Sequence, residues 1–260
     1  MIKYLFLAAY VFLLNLIIKI SFVLAFVSGS LVVAQETDKY SIGASYIFGE
    51  SVYEGAGSTA LLAPSLSYEN GPLKIGFPEG ISYQIYELKN IGFSTSLKPN
   101  FAPYDPNDAP ILNGMKRYES IDLKLSSSFD IIRGSTLNFS FGSELSNQHN
   151  GTIIDISYQQ FIPVAGFPVI LSAGSKWQDP KRSKYFYGVY DSEVISDRPE
   201  YIPGDSNIYF ISLNSFYRVT DSLGLFGNLS ANLLPTELTD SPIVGKKISL
   251  NTVLGLGYSF

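Results

Sequence analysis

The sequence predicts an all-β chain: a transmembrane antiparallel β-barrel of twelve strands, or alternatively ten, preceded by a signal peptide. Three observations carry this expectation. An apolar leader opens the chain; apolar residues then recur with period two through nearly all of the remainder; and the breaks between these segments alternate between short and long. Side chains on a strand alternate sides, so period two gives each segment one oily face and one small polar face. A barrel turned inside out for lipid puts the oily face outward and the polar face around the interior.

Residues 1–34 are apolar almost throughout, interrupted by Lys3, Asn15 and Lys19, and Val32-Val33-Ala34 places a small residue directly ahead of Gln35 and an acceptable one two positions before it. This is a signal peptide, with a retained membrane anchor as the alternative because the apolar run is long. Residues 35–260 then form one outer-membrane barrel domain. Without Lys3 and Lys19 that domain holds 16 basic against 23 acidic residues, a formal charge of −7 that makes nucleic acid an unsuitable partner. There is no Cys, which removes disulfides and thiol chemistry. The 18 Tyr and 18 Phe suit aromatic girdles at two membrane interfaces.

The first barrel segment alternates Ile42, Ala44, Tyr46 and Phe48 with smaller residues, and the second runs through Leu62, Pro64, Leu66 and Tyr68 to an Asn70-Gly71-Pro72 turn. Segments at 73–77 and 81–86 are short, which leaves twelve strands or ten. Ile121, Leu123, Leu125 and Phe129 oppose Asp122, Lys124, Ser126 and Asp130; after Arg133-Gly134, Leu137, Phe139 and Phe141 oppose Asn138, Ser140 and Gly142. Further segments cover 152–161, 167–177, 208–217 and 222–233. The last runs from Ile248 through Leu250, Leu254 and Leu256 to Tyr258 and Phe260, longer than an average soluble strand. An ending on Tyr258 and Phe260 resembles the signal by which bacterial barrels are recognised for assembly, which implies the barrel assembly machinery as a partner.

The turns at 69–72, 87–90, 132–135, 161–166 and 219–222 are short, whereas 50–59, 98–119, 178–207 and 234–247 are long, with 78–80 and 147–151 as short members of the same side. Short connections are expected in the periplasm and long ones outside.

Four stretches carry a family resemblance. Ile111-Leu112-Asn113-Gly114-Met115 precedes a long strand; Tyr185-Phe186-Tyr187-Gly188-Val189 lies in the longest loop; Asp240-Ser241-Pro242-Ile243-Val244 precedes the final strand; and Gly257-Tyr258-Ser259-Phe260 closes the chain. Together they resemble the MltA-interacting protein / outer membrane protein V (MipA/OmpV) family. The resemblance implies an outer-membrane barrel, some members serving as scaffolds between a lytic transglycosylase and a peptidoglycan synthase, others as surface antigens or adhesins. It supplies no catalytic residues, no cofactor and no metal site.

The expected function is therefore a non-enzymatic scaffold or surface protein of the cell envelope. Its expected surroundings are outer-membrane lipid and lipopolysaccharide, with periplasmic peptidoglycan enzymes as candidate partners. Asp122, Lys124, Asp130, Glu144, Asp155 and Lys176 are candidate lumen charges, either selecting solutes in a narrow channel or pairing to plug it. Tyr185–Val189 (185–189) beside Lys181, Arg182 and Lys184 is a candidate interaction loop or part of a girdle, and Asp240, Ser241 and Pro242 form a second candidate loop. His149, the only histidine, would be the base of an outer-membrane hydrolase in a third reading; its amide-rich neighbours instead suggest a plain polar loop.

Overall fold

The computed structural model describes residues 38–164 and 167–260. The signal-peptide and cleavage-site expectations at 1–34 lie outside the described residues. Twelve strands form one closed antiparallel barrel in which each strand pairs with its chain neighbours and β1 pairs with β12. They are β1 Lys39–Glu50, β2 Ser58–Asn70, β3 Leu73–Phe77, β4 Gly80–Leu88, β5 Ile91–Asn100, β6 Ser120–Ile132, β7 Ser135–Glu144, β8 Thr152–Val164, β9 Phe167–Gln178, β10 Ser206–Arg218, β11 Leu223–Leu233 and β12 Ile248–Ser259. The choice between twelve and ten strands is settled: β3 and β4 are separate members of a short hairpin, with Leu73 opposite Tyr83 and Gly76 opposite Gly80.

The seam is continuous. Ser41 faces Ser259 and Gly49 faces Asn251, and the Phe260 N–H donates to the Tyr40 carbonyl at 3.0 Å. Closure at this seam pairs the first and last strands, so neither leaves a free edge to the hydrocarbon layer.

Packing is inverted relative to a soluble sheet. The apolar rows of the strands are exposed, Leu62 by 71% and Leu254 by 56%, and form an outward belt. The inward rows are largely Ser, Gly and Asn, with charged residues such as Lys124, Asp155 and Lys176 and a few apolar or aromatic side chains. Inward Phe210, Phe216 and Phe226 lie where Gly174, Gly224 and Gly255 of neighbouring strands leave space no Cβ could share.

The buried hydrophobic core sits at the loop end of the barrel instead. It comprises Val52, Tyr53, Tyr104, Ala109, Leu112, Met115, Val189, Leu234, Leu238, Ile243 and Val244 from four loops, joined by Ile208 of β10. Two helices belong to this layer: α1, Pro180–Tyr187, and α2, Thr236–Thr239.

Candidate functional site

In the loop cap, polar groups from distant segments are buried together. α1 begins where Asp179 accepts the Arg182 N–H at 2.8 Å and Pro180 occupies the first turn, a combination that starts helices because it satisfies a free N–H and presets φ. From α1, Arg182 reaches down to the barrel wall and places Nη1 at 2.9 and 3.1 Å from the two oxygens of Asp122 on β6. Both side chains are almost wholly buried. Removing either partner of such a pair strands a charge, so this contact fixes α1 against the mouth.

A second cation organises the cap itself. Arg117, buried in the loop before β6, makes a bidentate contact with Glu193 at 2.6 and 3.0 Å and donates to the carbonyls of Tyr185 and Gly188. Its guanidinium also lies 4.6 Å from the centre of the Tyr190 ring. Burial opposes the Glu193 charge, but Arg117 and the Tyr190 N–H outweigh it and hold this carboxyl below the ordinary glutamate value. Arg198, 2% exposed, donates to the carbonyls of Glu193, Ile111 and Asn113. Two arginines thus satisfy carbonyls at the end of α1 and in the loops around it.

The candidate loop stretches converge here. Leu112 and Met115 are fully buried, and Gly114 between them has φ +82°, a left-handed backbone that a side chain rarely adopts. The Tyr185 hydroxyl bridges the N–H and C=O of Tyr118 at 2.6 and 2.8 Å. Ser241, 2% exposed, donates its hydroxyl hydrogen to the Tyr187 carbonyl at 2.6 Å. Tyr53 donates to the Phe186 carbonyl at 2.9 Å.

The family model for MltA-interacting protein MipA matches residues 42–260. The chain belongs to that family. It is 24% identical to YiaT of Escherichia coli (strain K12) over 223 residues, covering 85% of this chain and 90% of that one. Outer membrane protein OmpV of Vibrio cholerae is 25% identical over 170 residues, 64% of this chain and 65% of the relative. The MltA-interacting protein of Escherichia coli (strain K12) is 28% identical over 120 residues, 46% of this chain and 48% of the relative. These relatives are named as outer membrane proteins and as an interacting protein, not as enzymes, and this MipA-family chain is an outer-membrane β-barrel.

Within this MipA-family barrel, the candidate lumen charges fall into separate groups. Lys124 and Asp155 pair at 2.7 Å, with the Ser140 hydroxyl also on Asp155, and Lys176 lies 4.8 Å from the Phe210 ring centre. Asp122 is committed to Arg182. Glu144, at the loop end of β7, gathers the N–H groups of Gln148, His149 and Asn150 on one oxygen and the Ser146 hydroxyl on the other. Asp130 lies apart at the turn end, exposed and accepting from Thr136.

The candidate interaction loop is turned inward: Tyr185, Gly188 and Val189 are buried, and of the neighbouring cations only Lys181 is exposed. Asp240 remains exposed, whereas Ser241 is buried. Tyr258 and Phe260 are exposed at the turn end with ring centres 5.7 Å apart.

His149, expected in a plain polar loop, is buried. It is 8% exposed, its Nδ1 accepts the Gly151 N–H at 3.0 Å, and its ring lies 4.8 Å from Tyr185 and 5.8 Å from Phe186. The cause is Glu144, whose carboxylate folds residues 146–150 into a tight loop and tucks the imidazole under α1. Burial and then the Arg182 charge push His149 below the ordinary histidine value.

The acidic residues of the longest loop are dispersed. Asp179 caps α1, Glu193 holds Arg117, and Asp205 accepts from the Trp177 indole at 3.0 Å. Among the described residues, no three ligating side chains gather as a metal would require.

Arg117 and Arg198, which hold the cap together, have no counterpart among the residues singled out in the sequence. A buried arginine that serves distant carbonyls leaves no local pattern.

Proposed function

We propose that this protein is a non-enzymatic scaffold of the outer membrane whose capped barrel serves as a rigid anchor for a periplasmic peptidoglycan-remodelling enzyme. The observation that carries this reading is the fate of the family's loop stretches. Ile111–Met115 (111–115), 185–189 and 240–244 are spent on one another in a packed core, with Arg117, Arg198 and Ser241 as the fasteners. A barrel whose loops lock in this way is built for shape rather than turnover or passage. The name of the Escherichia coli relative, MltA-interacting protein, supports a lytic transglycosylase as the partner class.

His149 speaks against the hydrolase reading, since its Nδ1 is occupied by the Gly151 N–H and its ring is packed between α1 aromatics. Photo-crosslinkers placed at the turn end, for instance at Lys89, Arg133 and Thr220, test the proposal in intact envelopes. Capture of a lytic transglycosylase or a peptidoglycan synthase is the expected result; capture of assembly factors alone from every position would refute it.

A further inference from the structure

We infer that a gap in the barrel wall above the β3–β4 hairpin is a lateral entry from the membrane, leading to a site for a single-chain amphiphile with an anionic head. The gap follows from strand lengths. β2 pairs with β1 along its whole length, from Lys39–Glu69 to Glu50–Ser58, but with β3 only from Leu66 to Asn70. Residues 58–65 of β2 therefore have no neighbour on their other side, about 26 Å of strand at roughly 3.3 Å per residue. Across the hairpin, β4 meets β5 no higher than Ile81 opposite Leu97, although β5 continues to Asn100.

The edge so exposed is neither charged nor covered, as free edges normally are. It reads Ser-Thr-Ala-Leu-Leu-Ala-Pro-Ser, with Leu61 54% and Leu62 71% exposed on opposite faces. Leu61 falls on the inward row, opposite Ile47 of β1, which in turn faces Val253 of β12. An open edge facing hydrocarbon is untenable unless its polar groups border water or protein. The edge is therefore satisfied from the barrel side, and the gap joins a wet interior to the acyl chains.

Immediately inside lies a cavity of about 500 Å³ lined by Pro78 and Glu79 at the hairpin tip, Lys98 and Phe101 beside β5, and Arg182 and Phe186 of α1. This is a volume typical of small-molecule sites. Lys98 also borders the adjoining interior cavity of about 480 Å³, which holds Lys124, Asp155 and Lys176. The Arg182–Asp122 and Lys124–Asp155 pairs neutralise themselves, so Lys98 and Lys176 face Glu79 alone and leave one positive charge in excess. Two buried groups beside Lys98, Arg182 Nε and Gln178 Oε1, have no hydrogen-bond partner. Apolar rings and prolines at the rim, with a lysine and a spare guanidinium N–H behind them, match an alkyl chain ending in a carboxylate or phosphate.

Gly80 holds the hairpin low. Its φ is +94°, and a Cβ there would collide with the Leu97 carbonyl of β5, so the turn sits tight against that strand instead of rising to close the wall.

Native mass spectrometry of the refolded barrel in an alkyl-glycoside detergent, titrated with dodecanoate or with dodecanol, tests the assignment. Heat-modifiable migration confirms that each variant is folded. The expected result is one saturable dodecanoate per barrel, at least tenfold weaker in Lys98→Glu and tighter in Glu79→Gln, with dodecanol not retained. Should Lys98→Glu fail to fold, Lys98→Gln is expected to weaken dodecanoate several-fold. Adducts that never saturate, dodecanol held as well as dodecanoate, or dodecanoate binding indifferent to the folded Lys98 variant would overturn the inference.

Discussion

Ser241 and Tyr187 lie 54 residues apart and are joined by a 2.6 Å hydrogen bond from the serine hydroxyl to the tyrosine carbonyl. The contact ties the loop before β12 to the end of α1, and both partners belong to stretches on which the family resemblance rests. Its geometry explains why a serine stands there: a small donor, 2% exposed, reaches a carbonyl that has left the helix.

Ser241→Ala leaves the Tyr187 carbonyl buried without that donor. A buried acceptor left unsatisfied costs about 1–3 kcal/mol. Hydrogen exchange in 180–187 and 236–245 is expected to rise by roughly ten- to a hundredfold at that cost, while exchange in β6 to β9 stays at its original rate.

Arg117→Ala is expected to open the cap more severely than Ser241→Ala. It removes the partner of the largely enclosed Glu193 and the donors to Tyr185 and Gly188, and breaking a fully buried pair costs about 3–5 kcal/mol, an upper bound here. Limited proteolysis within 188–205 is the readout. The double variant Arg117→Met with Glu193→Gln should recover part of the loss, because no uncompensated charge remains. A double variant as labile as Arg117→Ala would show that the carbonyl contacts dominate.

Gly114→Ala forces a side chain into the φ +82° backbone between Leu112 and Met115. Strain of this kind costs about 1–3 kcal/mol. The expected outcome is faster exchange in 109–117 with an unchanged barrel, measured by the same peptide-level experiment.

Acidification should loosen the cap in two windows. The folded-state value of His149 lies below the ordinary one, so the open cap takes up its proton first as pH falls from about 6.5. Cap stability declines from there down to the folded value of His149. Glu193, also depressed, contributes stability that is present above about pH 4.3 and is lost as pH falls toward its folded value. His149→Gln is expected to abolish the upper window and leave the lower one, in exchange rates of 180–205 followed against pH.

The strands were legible because lipid imposes a period that any single segment displays. Ile121, Leu123 and Leu125 declare their face without reference to the rest of the chain. The short runs at 73–77 and 81–86 were visible too, yet their consequence depends on β2 continuing far above them, which only register reveals. The cap was illegible for a different reason. Leu112, Val189, Leu238 and Ile243 are isolated apolar residues in polar loops, and their burial comes from meeting one another across the mouth. Arg198 serves Ile111 and Asn113, 87 and 85 residues away, and nothing beside it in the chain signals that role. The lumen charges were assigned by parity, which places a side chain inside or outside but says nothing of its partner. Asp122 could be read only as a lumen charge, selecting or pairing, because its partner Arg182 lies on a loop whose return into the barrel leaves no periodic trace.

The central claim is that the loops form a locked cap over the barrel. Planar-bilayer recording of the refolded protein tests it most directly. A capped barrel should give no steady open-channel steps, and Arg182→Ala, which frees α1 from Asp122, should produce them. Reproducible ohmic steps from the unaltered protein, unchanged by Arg182→Ala, would contradict it.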